Sequence, residues 1–548
     1  FMTTFTSPLE AFIHWENTCP DKEFLRQHHN GKIDILSFRE SGDQIRRMAK
    51  AIRDKKLPPK SKIALLSKNC SHWVMADIAI MMSGHISVPI YPTLQAETIK
   101  LILNHSESKL LFVGKLDAYD TQKNGFGDTP LISVEKYGIN EPETWESLVD
   151  KYERLEDITY NDPGDLISII YTSGTTGNPK GVMHSIENFA NAPHNLNKDL
   201  VLDYHSRFFS YLPLSHIAER IGLEMNAIML GGSLTFSESI EKFASNLEDT
   251  QPDLFFAVPR IYAKFQEKIL EGLPQKRLNI LLNIPFLNNL LKKKIKDKLG
   301  LSRAKYIASG AAPLSVTTMK WYLKLGIEII QAYGMTEDCI ISHCNLPGRN
   351  KIGTVGKFTH GAKAKLSEIG EICVKNNSLM LGYYKEPAET AKMFDKEGYL
   401  KTGDIGEYDH DGFLTITGRA KDQFKTDKGK YISPAPIELE LSKNLDIEQV
   451  CVVGMGIPQP IMLVIPSEAG KRKSQTELSE SLLQSILQIN PSLEKHEKIQ
   501  KAVIMKEDWT VENGLMTPTL KIKRSQLEKI HMHMYRSWFD DNERVIRE

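Results

Sequence analysis

The stretch YTSGTTGNPKGVMH, residues 171–184, places three Gly, three Thr, one Ser and one Lys in fourteen positions directly after the apolar run DLISII. A strand that ends in such a loop can aim several backbone N–H groups and hydroxyl donors at one anion, and Lys180 adds a mobile positive charge. The chemistry this composition serves is the holding of phosphate. A plain surface turn needs one or two special φ/ψ positions, not this density of donors. The NTPase loop G-x-x-x-x-G-K-[ST], which runs directly into a helix, does not fit. Counted from Gly174, Pro179 stands where the glycine is required and Gly181 where the hydroxyl for Mg²⁺ belongs. GVMH continues as a further strand, so a hairpin-like loop is expected instead of a helix N-terminus.

The elements that must carry this loop alternate strand with helix. KIALLS (62–67), a helix from Ser71, ISVPIY (86–91), a helix through AETIKLILNH and KLLFVG (109–114) give the βαβ rhythm of a parallel sheet covered on both faces. A second series runs from DLISIIYTSG to about residue 345, with FFSYLP, SLTFS, DLFFAVP, AKYIASG and IEIIQAYG as strands. GEICVK and GYLKTGDIGEYDHDGFLTITGR read as short antiparallel strands turned by glycines. Beyond GRAKDQFK lies a smaller α/β unit with strands at QVCVVGMG, IMLVIP and KAVIMK and a helix near 477–488. The expected fold class is α/β: a large N-terminal domain, 1–418, of parallel-type sheets with helices and a small antiparallel β subdomain, then a small α+β C-terminal domain, 419–548.

The whole chain restricts the function classes. At 548 residues it exceeds one ordinary core. Lys+Arg and Asp+Glu both number 69, so no global basic field marks a nucleic-acid binder. The six cysteines, Cys19, Cys70, Cys339, Cys344, Cys373 and Cys451, form no C-x-x-C pair and have no His at zinc spacing, which reads as reduced thiols. The opening FMTTFTSPLE lacks a basic leader followed by an apolar core, and WVMADIAIMMSGHISVPIYP is interrupted by Asp77, His85, Pro89 and Pro92. A cytoplasmic protein is expected, at most peripheral at the inner face of a membrane. RLNILLNIPFLNNLLKKKIKDKLG, 277–300, joins Leu, Ile and Phe to a cationic cluster and is the place for such contact, although an ordinary amphipathic helix has the same pattern.

YTSGTTGNPKG resembles the signature loop of the adenylate-forming superfamily, which includes acyl-CoA synthetases, luciferases and peptide-synthetase adenylation domains. YLPLSH (211–216), ASGAAPLS (308–315), QAYGMTED (331–338), YLKTGDIG (399–406), GRAKDQFK (418–425) and TPTLKIKR (517–524) agree in order and spacing over almost the whole chain. Within the superfamily YLPLSHIAER, AVPRIYAKF, KGKYISPAPIE and ENGLMTPTLKIKR are most similar to long-chain fatty acid-CoA ligases. The resemblance implies two half-reactions: a carboxylate attacks the α-phosphate of ATP to give acyl-AMP and pyrophosphate, then the thiol of coenzyme A attacks the acyl-AMP. Neither needs a protein nucleophile, only positioning and charge stabilisation.

Matched motif by motif, the resemblance implies that Thr172, Ser173, Gly174, Thr175, Thr176 and Lys180 hold the β and γ phosphates. Glu337 would bind Mg²⁺, with Thr172 beside it, and Thr336 would reach the α-phosphate. Tyr333 and Gly334 would flank the adenine, with Gly310, Ala311 and Ala312 letting the base lie against backbone. Asp404 and Arg419 would hold the ribose hydroxyls. Lys521 would bridge carboxylate and α-phosphate oxygens as the essential catalytic residue. Alone, Asp404 reads as a turn former, Arg419 as a solvated charge and Lys521 as part of a basic face with Lys523 and Arg524; His216 reads equally as an ordinary half-buried imidazole.

Lys521 would block the thiol, and the resemblance implies that the small domain rotates about Lys421 after adenylation. DKGKYISP (427–434) would then line the pantetheine tunnel, departing from the commoner Gly-Glu pattern at Lys430. A fatty acid needs an apolar tunnel, since each buried CH₂ contributes about 0.8 kcal/mol. Phe255, Phe256, Ile221, Leu223 and Met225 are wall candidates that also suit an ordinary core, and Arg220 stands near where some members carry a gating aromatic. Two other functions remain open: a fatty acyl-AMP ligase that loads a carrier protein, and an adenylate-binding protein without catalysis. Monomer and homodimer are both compatible with the sequence.

Overall fold

Short apolar runs bounded by turn residues form strands buried on both faces, as at Ile86–Ile90, Leu110–Val113 and Tyr306–Ser309. The computed structural model describes residues 4–172, 179–517 and 520–548. Among these, one sheet runs Gly382–Tyr383, Lys180–Ser185, Leu166–Thr172, Ile86–Ile90, Lys62–Leu66, Leu110–Val113, Leu131–Ser133 in spatial order. A second runs Lys357–Phe358, His343–Cys344, Ile329–Tyr333, Tyr306–Ser309, Leu254–Ala257, Arg207–Ser210, Ser233–Phe236, Glu23–His29, Lys32–Ser37. Both are mainly parallel, with antiparallel strands at their edges. The two expected series are present, with one difference. Leu166–Thr172, read as opening the second series, lies in the first sheet between Lys180–Ser185 and Ile86–Ile90, because its hairpin partner and Ser168 opposite Ser87 hold it there.

The helix Ser71–Met82 is buried at every position. It packs against strands of both sheets, so it needs no polar face, and Asp77 within it is a buried ion partner rather than a break in a membrane span. Among the described residues no helix is long and apolar enough to cross a membrane.

A smaller antiparallel sheet, Lys363–Leu366, Glu371–Lys375, Leu400–Tyr408, Leu414–Arg419, follows. After Arg419 the chain turns through Ala420–Asp422, and two further cores consist wholly of residues from Phe424 onward. The strands there are Ile447–Val453, Ile461–Pro466, Ala502–Ile504 and Val545–Arg547, with the helix Gln475–Ile489 held by a Ser474/Glu477 capping box. The segment 277–300 is two helices, not one: Gln275–Leu282 and Pro285–Lys298, broken where Pro285 prevents continuation.

Candidate active site

Leu166–Thr172 and Lys180–Ser185 form the expected hairpin, with Thr172 directly opposite Lys180. Gly181 follows because a Cβ there would stand 2.7 Å from Ile169 on the partner strand. Ser185 ends the hairpin as the N-cap of Ile186–Asp199, accepting from the Asn188 N–H, so the second strand is anchored at both ends. Ser173, Gly174, Thr175 and Thr176 lie outside the described residues.

The Lys180 ammonium lies 2.7 Å from Glu389 and 5.2 Å from the centre of the Tyr383 ring. The Tyr383 hydroxyl donates to Glu337 Oε1 at 2.7 Å. One tyrosine thus joins the lysine expected to hold phosphate to the carboxylate expected to hold Mg²⁺. Burial pushes the Glu337 carboxyl up, and the Tyr383 bond opposes this. A second lysine, Lys392, is 2.6 Å from the other oxygen of Glu389, and the two cations hold that carboxyl down at about 2.

Glu337 and Thr336 sit in the turn Thr336–Asp338 after the strand Ile329–Tyr333, and Gly310, Ala311 and Ala312 follow its neighbour Tyr306–Ser309. These are the carboxyl ends of adjacent parallel strands, where open α/β sheets bind ligands. His184 bonds the Thr336 carbonyl through Nε2 at 2.8 Å, and burial lowers that imidazole to about 4, so it is a neutral donor. Asp338 caps the turn by accepting from Met335 N–H at 2.9 Å. Gly334 is required by packing, since a Cβ would fall 2.5 Å from the Ile340 backbone, and Gly310 likewise stands against the Phe256 ring. Ala311 has φ +64°, and Cys339 and Ile340 also have positive φ; a β-branched residue there is strained, and such strain gathers at ligand sites.

The third group is Tyr333, Asp404 and Arg419. Asp404 and Arg419 face each other across Leu400–Tyr408 and Leu414–Arg419, and Arg419 Nε donates to Asp404 Oδ1 at 2.8 Å. The Tyr333 hydroxyl donates to Asp404 Oδ2 at 2.6 Å. Burial and then Asp404 push the Tyr333 hydroxyl far above its ordinary range, so it remains a donor.

Lys521 completes the cluster. Lys521 is exposed as a residue, and its ammonium is within electrostatic reach of the cluster: desolvation and then Arg419 lower it to about 8, against Asp404 and Glu337, which raise it. It also acts on His216, whose ring burial, assisted by Lys521, lowers to about 3. Neutral His216 caps the helix Ile217–Glu219 by accepting from Ala218 N–H at 3.2 Å. Lys421 is exposed in the turn after Arg419, away from these contacts.

Of the fatty-acid wall candidates, Phe255, Ile221, Leu223 and Met225 are buried and Phe256 is half-buried. Arg220 is no gate in this structure. It is turned inward, with both carboxylate oxygens of Asp77 at 2.7 Å and Ser168 and Ser87 at 2.8 and 3.1 Å. Glu224, 3.5 Å from Arg220 Nε, is held well above the carboxyl range by burial and then by Asp77.

Sequence reasoning missed Tyr383, Glu389 and His184. The first two lie in GYYKEPAET, 382–390, whose aromatic and acid become informative only when Gly382–Tyr383 pairs with Lys180–Ser185. His184 ends the quoted fourteen residues, but nothing local shows that its ring reaches Thr336.

The site joins the ends of parallel strands to a lysine supplied from beyond residue 424, the architecture of an adenylate-forming enzyme. Residues 12–384 match the AMP-binding enzyme family and residues 421–538 the AMP-binding enzyme C-terminal domain. The chain belongs to the AMP-binding enzyme family. It is 27% identical to long-chain-fatty-acid-CoA ligase 5 of Rattus norvegicus, over 93% of this chain and 84% of that one. It is 28% identical to long-chain-fatty-acid-CoA ligase 1 of Homo sapiens, over 92% and 82%. The fold is similar to the adenylation domain of a carboxylate reductase from Mycobacterium chelonae, with TM-score 0.81, 20% identity and coverage of 98% and 91%.

Proposed function

We propose that the protein activates a long-chain fatty acid with ATP to acyl-AMP and pyrophosphate, then transfers the acyl group to coenzyme A, releasing AMP. The observation that carries this is that Tyr383 joins Lys180 to Glu337, Tyr333 and Arg419 hold Asp404, and Arg419, Asp404, Glu337 and Lys521 lie within one another's electrostatic reach. Lys180, with Thr172 and the loop residues Ser173 to Thr176, grips the outer phosphates. Asp404 accepts from the ribose hydroxyls and Arg419 donates to the sugar. Tyr333, Gly334 and the 310–312 backbone bracket the adenine. Lys521 donates to the attacking carboxylate and the α-phosphate, drawing the two anions together and stabilising charge at phosphorus.

Glu337 fits Mg²⁺: a single buried carboxylate beside the phosphate lysine suits an ion that takes one or two protein oxygens and completes its shell with phosphate and water. Bound there, Mg²⁺ would neutralise the charge of the departing pyrophosphate. Among the described residues no group of three His, Cys, Asp or Glu side chains could hold a metal alone.

Residues 1–418 form the adenylation domain in this reading and 419–548 the moving one, hinged at Lys421. The rotation withdraws Lys521 and brings 427–434, including Lys430, to the pantetheine. The protein acts in the cytoplasm on a substrate drawn from a membrane.

The test is the full chain with ATP, Mg²⁺ and coenzyme A on acids from acetate to arachidate and one aromatic acid. Acyl-CoA formation strongest with long chains is expected. Pyrophosphate release without CoA-dependent thioester would favour loading of a carrier protein, and nucleotide binding without acyl-adenylate would leave a non-catalytic binder.

A further inference from the structure

From Gly272 to Lys296 the chain carries six cations, Lys276, Arg277, Lys292, Lys293, Lys294 and Lys296, and no Asp or Glu, although the whole chain is formally neutral. The two helices there turn one face inward: Leu278 is fully buried, and Leu282, Leu291 and Ile295 pack on the same core as Phe255. The outward face is apolar at the tip. Phe286 is 93% exposed, Leu290 64% and Ile280 62%, with Ile284 and Leu287 also exposed. On Pro285–Lys298 the exposed positions 286, 287, 290, 293 and 294 follow helical spacing, so a single stripe passes from Phe286, Leu287 and Leu290 to Lys293 and Lys294. Lys276 and Arg277 provide exposed charge on the companion helix. Among the described residues only Lys298 of the lysines on Pro285–Lys298 has an ion partner, Glu248 at 2.9 Å.

We infer that this helical hairpin docks on an anionic phospholipid bilayer, with Ile280, Ile284, Phe286, Leu287 and Leu290 entering the acyl boundary and Lys276, Arg277, Lys293 and Lys294 meeting the headgroups. An apolar tip flanked by exposed cations, with no acid between Gly272 and Lys296, matches that surface in both respects. A polar protein partner would leave Phe286 and Leu290 in water, and a second copy of this hairpin would oppose cation to cation. The inference deepens the fatty-acid reading by naming where a sparingly soluble substrate is met, because the hairpin rests on the core that contains the wall candidate Phe255. The hairpin would dock even if the substrate were another acid.

The test uses the full chain without substrates, co-sedimented with phosphatidylcholine vesicles containing phosphatidylglycerol and with pure phosphatidylcholine. Binding to the anionic vesicles is expected, weaker without phosphatidylglycerol. Lys293→Gln with Lys294→Gln should weaken it on the order of tenfold, and Phe286→Ser with Leu290→Ser by a similar factor, both with unchanged melting temperature. Failure of the wild type to bind, or equal binding by all three proteins, would overturn the inference. So would a dimer abolished by Phe286→Ser, since a second copy would then cover the tip. Acyl-CoA assays in detergent-dispersed acid report the substrate reading separately, because they need no bilayer.

Discussion

The lowered ammonium of Lys521 gives a pH signature to the first half-reaction. Desolvation and then repulsion by Arg419 lower its ammonium to about 8, with Asp404 and Glu337 only partly offsetting both. Donation to two anions requires the protonated form, so the occupied fraction is about 0.9 at pH 7 and about 0.1 at pH 9. The adenylation kcat/KM, which reports the free enzyme, should therefore fall about tenfold across that interval. Bound triphosphate adds negative charge beside Lys521 and raises its pKa, so the same limb in kcat should lie at higher pH. The assay is pyrophosphate release with hydroxylamine trapping of the acyl-adenylate, which separates this step from thioester formation. Two buried carboxyls, Glu219 and Asp338, are each pushed up to about 8 by burial and titrate in the same window. Lys521→Arg separates the causes: a guanidinium stays charged throughout, so the limb should vanish even if the rate is lower. A limb that persists in Lys521→Arg, or a flat wild-type profile to pH 10, would refute the assignment.

Tyr383→Phe removes the donor to Glu337 and should raise the Mg²⁺ concentration for half-maximal rate on the order of tenfold, read from a metal titration at saturating ATP. Glu389→Gln frees Lys180 from its ion pair, so the KM for ATP should fall while the kcat of adenylation changes little. Lys421→Pro stiffens the expected hinge: acyl-adenylate formation should persist while thioester formation from supplied acyl-AMP is lost. Arg220→Met leaves the Asp77 carboxylate, a fully buried side chain, without its cation and should cost about 3–5 kcal/mol in denaturant unfolding.

The strands were legible because they announce themselves as short apolar runs, and the hairpin at 172–180 because GVMH reads as a strand. Their assignment to sheets was less so. Leu166–Thr172 and the strands after it look alike in sequence, and only the pairing of Ser168 with Ser87 ties that strand to the first sheet. The same limit applies to the site. Lys180 falls in a loop whose composition departs from an ordinary turn, whereas Glu337, Asp404 and Lys521 stand out only through the register of motifs that resemble the adenylate-forming superfamily. Tyr383 and Glu389 do not, because an aromatic and an acid in a polar stretch are unremarkable until a strand edge sets them 46 and 209 positions from their partners Glu337 and Lys180. Arg220 shows the converse. A charge in a helical run reads as solvated, and it takes Asp77, Ser87 and Ser168, all far away in sequence, to make its burial tolerable.

That buried cluster bears on how the cleft is held. The helix beginning at Ile217 is capped by His216, which lies within the field of Lys521, and it continues through Arg220–Met225 as a wider π-helical turn. Glu219 faces away from Arg220, accepting from Ser210 Oγ at 2.7 Å and Tyr211 N–H at 2.8 Å, while Arg220 reaches Asp77. Ser210 belongs to the nine-stranded sheet, whereas Ser87 and Ser168 belong to the seven-stranded one, so consecutive residues clamp one helix between the two sheets. Apolar packing alone would allow this helix to slide, since dispersion contacts are non-directional, but charge-assisted bonds from one guanidinium nitrogen to Asp77 and from the other to Ser168 fix its height. His216, the N-cap of that helix, is then held at a set position within the field of Lys521. The order of effects follows: loss of Arg220 should first release the helix and only through it disturb Lys521, so Arg220→Lys, which keeps the charge but loses the fork, should impair adenylation more than it lowers stability.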